Sequence, residues 1–225
     1  RDEYLIAINK PHGLLVHRTK IANDADTFCV QLLRDQIGQS VYPVHRLDRK
    51  TSGVLLFALS PEMNSTMQQQ FMNHSVIKRY YALVRGYTND SGTIESPLMK
   101  ENGEKQEAVT HYKTLERMEF PVPSGGFENS RYSLVEVTPE TGRMHQIRRH
   151  FAHLRHPIIG DRPHGCNKQN KLFLERFNMK TMLLHALSLE FKHPINGQIV
   201  NINANVHSEF ERILKIQKLK VSGEK

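Results

Sequence analysis

Residues 41–57 read VYPVHRLDRKTSGVLLF. The apolar residues at either end, up to Val44 and from Val54 onward, have the composition of strands. Between them stand His45-Arg46-Leu47-Asp48-Arg49-Lys50, five polar or ionisable residues out of six. A plain turn would interrupt a strand at lower cost. Asp48 is therefore either the anion of a salt-bridged loop or an acid held for chemistry. Its cationic neighbours favour the ionised form, and an ionised aspartate without a metal serves as a general base or a nucleophile.

Outward from this stretch the pattern is mostly one of strands. Tyr4 to Ile8 reads as a strand ended by the turn Lys10-Pro11-His12-Gly13. Gly53 to Leu59 reads as a buried strand, and residues 79–85, 109–115 and 132–137 as strands with alternating or β-forming side chains. Residues 183–191 and 198–204 flank Asn196-Gly197, a strong hairpin signal. The interval from Glu119 to Ser130, with two prolines and Gly125-Gly126, is expected to be a surface loop. Helices are expected over 26–37, capped by Asp26, burying Phe28, Leu32, Leu33 and Ile37 and closed by Gly38; over 61–73 after Ser60-Pro61; and from a Ser208/Glu211 capping box that carries Phe210, Ile213 and Leu214 inward. Strands joined by hairpins predict an α+β fold, a largely antiparallel mixed sheet with flanking helices. No repeat or boundary is visible, so residues 1–225 are read as a single domain.

Composition narrows the function classes. Lysine plus arginine exceed aspartate plus glutamate by 31 − 23 = 8, and the sequence pI is near 9.5, which fits a polyanionic partner such as nucleic acid. The longest apolar run, Val54 to Leu59, is too short to span a bilayer, and no secretory signal pattern is present. Two cysteines, Cys29 and Cys166, form neither a disulfide framework nor a zinc motif. The expectation is a cytoplasmic monomer that does not engage membranes. GxGxxG, GxxxxGK[ST] and GxSxG are all missing, and no metal or other cofactor is expected.

A second stretch, residues 140–165, reads ETGRMHQIRRHFAHLRHPIIGDRPHG. Met144, Ile147, Phe151 and Leu154 fall on one face of a helix, with Arg143, Arg148, Arg149 and Arg155 among the other positions. His150, His153 and His156 have a spacing that suits a metal, but the interleaved arginines repel a divalent cation and no carboxylate lies among them. A cationic face that holds phosphates suits the composition better. Asp161 is the best second carboxylate, or else a loop residue. One catalytic aspartate beside a polyanion-binding surface suggests chemistry on a glycosidic bond within a nucleic acid.

At these residues the chain resembles the RluA class of pseudouridine synthases. His45-Arg46-Leu47-Asp48 followed by Thr51-Ser52-Gly53 is similar to the central motif of that class. Further matches follow in the same order as in the family: Asn9-Lys10-Pro11-His12-Gly13 with Val16-His17; Lys78-Arg79-Tyr80 with Val84 and Gly86; Thr141-Gly142-Arg143 with His145-Gln146-Ile147-Arg148 and His150; and Leu184-His185-Ala186. The resemblance runs from about residue 2 to 204, and the S4-like RNA-binding domain that many relatives carry in front is not expected here.

The resemblance implies a pseudouridine synthase fold and isomerisation of uridine in RNA to pseudouridine without cofactor or metal. It makes Asp48 the catalytic aspartate, Tyr80 the residue that stacks on the target base, and Arg143 the partner that holds Asp48 ionised and oriented. The target must be flipped out of folded RNA, and Arg46 matches the position that can enter the vacated space. Leu184 would line an apolar pocket around the uracil, while Arg148, Arg149 and Arg155 are phosphate-contact candidates. Leu47 is expected in the core, Tyr81 on the sheet face opposite Tyr80, and His45 as a brace for the loop. Within the class, residues 34–38, 108–112 and 149–156 are most similar to members that modify uridine 65 of tRNA, with ribosomal RNA as the alternative target.

Overall fold

The computed structural model describes residues 1–17, 27–123 and 126–221. Its elements, in chain order, are β1 Leu5–Lys10, α1 Cys29–Ile37, β2 Tyr42–Pro43, β3 Ser52–Ala58, α2 Pro61–Met72, β4 Ile77–Arg85, β5 Ser91–Glu95, β6 Leu98–Met99 and β7 Lys105–Gln106. They continue with β8 Val109–Phe120, β9 Ser130–Pro139, α3 Gln146–His153, α4 Asn167–Phe177, β10 Leu184–Lys192, β11 Ile199–Asn203 and α5 Ser208–Val221. The fold is α+β, and the pairings β1/β3, β2/β3, β4/β9, β5/β8, β6/β7, β8/β9 and β10/β11 are all antiparallel. Among the described residues no helix is long and apolar enough to cross a membrane. The chain divides into two compact units, residues 1–78 with 186–205, and 79–185 with 206–225.

In the first unit every residue of β3 is buried, as a central strand requires. Leu5, Val54, Leu56, Met63, Met67, Leu189 and Phe191 form one apolar cluster. Gly53 is fixed by a close approach. A Cβ there would lie 2.1 Å from the Ala186 carbonyl oxygen, at a φ of +111°. Helix α2 starts as its sequence predicts, with Pro61 in its first turn and Ser60 Oγ accepting from the Met63 N–H at 3.2 Å. The turn between β10 and β11 closes with His193 N–H donating to Gln198 O at 2.7 Å.

Helix α1 begins at Cys29, with Phe28 as its cap and no side-chain cap bond, and Asp26 lies outside the described residues. Gly38, in the left-handed region, closes it as expected, its N–H donating to Arg34 O. Leu33 is buried, but Leu32 is 47% exposed, because residues at i and i+1 of a helix diverge by about 100°.

In the second unit the alternation of strand side chains builds two clusters. Along β4, Tyr81 and Leu83 go to one, with Tyr132, Leu134 and Phe173. Tyr80, Ala82 and Val84 go to the other, with Val135, Val137 and Phe151. Tyr80 and Tyr81 thus serve opposite faces, as the period of two requires. Strand β8 runs on to Phe120 rather than ending near 115, and β9 starts at Ser130. The loop expected over 119–130 is correspondingly shorter, because Met118 and Phe120 are drawn into the first cluster. Gly125 lies outside the described residues.

The C-terminal helix is capped by His207 rather than by a Ser208 box. The His207 Nδ1 accepts from the Phe210 N–H at 3.2 Å, and Ser208 is already helical. Phe210 and Ile213 are buried, and Leu214 packs against them.

Candidate active site

In the first unit, the segment between β2 and β3 is fastened at both ends. The Val44 N–H donates to Leu56 O at 3.1 Å, and the Leu56 N–H donates back to His45 Nε2 at 3.1 Å. The His45 ring also stacks on Phe71, with centroids 5.0 Å apart. His45 therefore braces the loop. Its pKa is lowered to about 4, by burial first and by the Lys78 charge second, while a hydrogen bond to the Arg46 backbone pulls the other way. Leu47 is buried, Asp48 is half-buried, and Arg46 and Arg49 are exposed. The Thr51 N–H donates to Asp48 O at 3.0 Å, closing a tight turn directly after the carboxylate.

Lys10 is a part of this loop that residue patterns assigned only to a turn. It is fully buried, at the end of β1 and paired with Gly53. Its Nζ donates to three carbonyls, Pro11 O at 2.9 Å, Leu14 O at 2.7 Å and Arg49 O at 3.1 Å. An ammonium has three protons, so the three bonds exhaust it. The Arg49 carbonyl also accepts from the Gly13 N–H at 2.8 Å, and Arg49 Nε donates to Gly13 O at 3.0 Å. The segment that carries Asp48 is thus bolted to the first turn of the chain. A lysine ending β1 directly before the Pro11-His12-Gly13 turn was the available signal.

In the second unit, Tyr80 and Leu184 meet in the same apolar cluster, Tyr80 half-buried and Leu184 buried. Arg143 lies in the turn between β9 and α3, and its Nε donates to Glu107 O at 2.9 Å. Helix α3 is shorter than its periodicity predicts. His145 is left-handed, with φ at 55°, so the helix starts only at Gln146. Met144 falls outside it and is exposed. Ile147 and Phe151 are buried, and Leu154 packs against them.

The arginines expected on one cationic face go three ways. Arg148 is buried and turned inward on Asp161, Nε to Oδ2 at 2.8 Å and Nη2 to Oδ1 at 2.8 Å. Both side chains of this ion pair are buried, unlike the exposed position expected of a phosphate contact. Arg149 reaches the β6–β7 hairpin, donating to Met99 O at 3.0 Å. Arg155 follows the helix in a left-handed conformation and is exposed. The histidines diverge as well: His150 is buried against Thr110 and Ser96, and His156 bonds the Arg85 carbonyl.

Between the β6–β7 hairpin and the turn before α3 lies a cleft of about 340 Å³, lined by Met99, Lys100, Asn102, Arg143, Met144 and Arg149 among others. Cations and half-exposed methionine side chains share its walls. The Glu101 carboxylate lines it as well.

The family model described as RNA pseudouridylate synthase matches residues 4–153. The tRNA pseudouridine synthase C of Vibrio cholerae is 45% identical, over 95% of this chain and 92% of that protein. The protein of the same name from Salmonella typhi is 45% identical, over 95% of this chain and 86% of that one. Among solved structures, Human RNA Pseudouridylate Synthase Domain Containing 1 matches with a TM-score of 0.73 at 21% identity, covering 97% of this chain and 92% of that one. Human RNA Pseudouridylate Synthase Domain Containing 4 matches with a TM-score of 0.72 at 24% identity, covering 97% and 91%. The structural likenesses establish the fold, and the family model with the sequence relatives establishes descent: the chain belongs to the RNA pseudouridylate synthase family.

Proposed function

We propose that this chain isomerises one uridine of tRNA to pseudouridine, with residues 1–225 acting as one catalytic domain. The observation that carries the substrate is the 45% identity to proteins named tRNA pseudouridine synthase C along nearly their whole length. The resemblance in residues 34–38, 108–112 and 149–156 directs the choice within tRNA to uridine 65. The reaction breaks the N1–C1′ bond and joins C1′ to C5. The C5 proton is released and N1 gains one, so the product is an isomer of the substrate.

Asp48 is the catalytic carboxylate in this reading, acting on the ribose as nucleophile or base. Tyr80 stacks on the target uracil and Leu184 belongs to its apolar wall. Arg143 is the cation that orients the catalytic carboxylate. Flipping the uridine costs a few kcal/mol of unstacking and unpairing. Arg46, exposed beside Asp48, offers a planar guanidinium to the bases left behind. Arg149 and Arg155 hold phosphates.

The test is tritium release from tRNA and ribosomal RNA transcripts labelled at uridine C5, with Asp48→Asn alongside. Release from tRNA alone, lost in the variant, is the expected result. Release only from ribosomal RNA overturns the substrate, and binding without release from either overturns the reaction.

A further inference from the structure

Gln146 is the first residue of α3 and is 4% exposed. Its amide offers two acceptor directions and two donor protons, and all four are used. Oε1 accepts from the Arg143 backbone N–H at 2.9 Å and from the Thr141 hydroxyl at 2.7 Å. Nε2 donates to Val109 O at 2.9 Å and to Thr110 Oγ1 at 2.9 Å. The opposite amide orientation would set N–H against the Arg143 N–H and oxygen against the Val109 carbonyl, so only one orientation satisfies the site.

The direction propagates. The Ser96 carbonyl, 2.9 Å from His150 Nε2, can only accept, so the neutral His150 ring carries its proton on Nε2, and Nδ1 accepts from the Thr110 hydroxyl 2.9 Å away. At the other end, Thr141 Oγ1 accepts from the Val109 N–H at 3.1 Å and gives its proton to Gln146. A line of directed bonds therefore runs from the Ser96 carbonyl to the Arg143 N–H. Its footing is β8, which is paired on both sides, to β5 and to β9.

The turn that carries Arg143 starts from Glu140, whose N–H donates to Val109 O at 3.1 Å, and ends at His145, whose Nδ1 lies 2.9 Å from His164 Nε2. Residue His145, which caps α3, makes no side-chain cap bond. Gln146 supplies that closure from inside the helix, through its side chain and through its own N–H, which donates to Arg143 O at 3.1 Å. Arg143 Nε then meets Glu107 O, next to the strand that Gln146 grips. We propose that Gln146 is a positioning residue, which fixes the backbone of Arg143 and with it the direction of the guanidinium. The inference rests on the role of Arg143 proposed above.

A double-mutant cycle separates the two. Single-turnover tritium release from labelled tRNA would be measured for Gln146→Leu, Arg143→Ala, both together, and wild type, with RNA affinity and thermal stability alongside. Misplacing a reacting group by about 1 Å can cost on the order of 100-fold, so Gln146→Leu is expected to slow release by about 10- to 100-fold with RNA affinity unchanged. In the Arg143→Ala background the same change should cost nothing further.

A purely structural glutamine would behave like Ser133→Ala, which removes the bonds to Gly86 O and the Thr88 N–H. That variant should lower stability and leave the rate per folded molecule unchanged. Full additivity in the double variant, or an unchanged rate in Gln146→Leu, overturns the inference. An unaffected Arg143→Ala overturns the role of Arg143 itself, and the inference with it. If Gln146→Leu does not fold, Gln146→Met, which is closer in length and also lacks the oxygen that faces the Arg143 N–H, carries the same cycle with the same expected loss.

Discussion

Arg148 and Asp161 form a two-pronged ion pair sealed inside the second unit, with side chains only 6% and 1% exposed. The loop around Asp161 is built tightly upon it. The Asn170 side-chain amide donates to Asp161 O at 2.6 Å and accepts from the Gly160 N–H at 2.8 Å. A Cβ on Gly165 would lie 1.9 Å from that same Asp161 oxygen. Removing one member of such a pair leaves a buried charge without its counter-ion, at a cost of about 3 to 5 kcal/mol.

Arg148→Met should therefore lose about 3 to 5 kcal/mol in urea unfolding while leaving the salt dependence of RNA binding as it was. Each phosphate contact contributes about 0.7 to 0.9 to the slope of log affinity against log salt. Arg155→Ala, at an exposed position, should reduce that slope by about this amount with little change in stability. A reduced slope in folded Arg148→Met would return Arg148 to the phosphate contacts.

Why the sequence separates these arginines so poorly is a matter of range. Composition shows four cations in a short stretch, but the partner of Arg148 is thirteen residues away, across a loop. Helical periodicity also overreached at Met144, because a left-handed His145 breaks the phase just before Gln146. Strand β8 was misjudged for a similar reason. A register shift between Thr114 and Glu116 turns the strand over, so Met118 and Phe120, at the same sequence parity as Tyr112, pack into the other cluster. Features set by adjacent residues were legible, among them the Ser60 cap, the hairpin at Asn196-Gly197 and the polar loop around Asp48.

Gly53, in the Thr-Ser-Gly that follows the Asp48 loop, tests how closely β3 and β10 must approach. Any Cβ meets the Ala186 backbone, with its oxygen at 2.1 Å and its nitrogen at 2.6 Å, and the backbone there is already at φ +111°. Neither contact is a side-chain end that can swing aside. Gly53→Ala should lose about 3 kcal/mol or more, combining overpacking with backbone strain. Thermal or urea unfolding reads this directly, and a loss under about 1 kcal/mol would mean that the strands separate easily.

Lys10 carries a pH dependence with two signs. Burial draws its pKa down to about 8, against the pull of Cys29 and Asp48, which favour the charged form. The folded chain thus releases this proton before the unfolded chain does. Between pH about 8 and the ordinary lysine value of 10.5, the group adds to stability as pH rises. Over the same range the neutral amine keeps two protons for three carbonyls, and the segment that carries Asp48 loses a tie. Single-turnover release should fall through pH 8 with no loss of stability from this group. Lys10→Met should be slow and flat over that range. A wild-type rate that does not fall would separate the ammonium from the chemistry.

His45 sets the acid side. Its Nε2 can accept from the Leu56 N–H only while unprotonated, and burial with the Lys78 charge holds its pKa near 4. Above the ordinary histidine value of 6.5 both folded and unfolded chains are neutral at this site, and it adds no pH dependence. From 6.5 down to about 4 the unfolded chain takes up a proton that the folded chain refuses, so stability falls across that window and levels off below it. Other histidines contribute their own slopes, so the difference between wild type and His45→Asn is what isolates this residue. Urea midpoints measured from pH 7 to pH 4 should fall more steeply for wild type than for His45→Asn. Parallel curves would mean that His45 takes up its proton in the folded chain as readily as in the unfolded one, and that the brace on the Asp48 loop does not depend on a neutral ring.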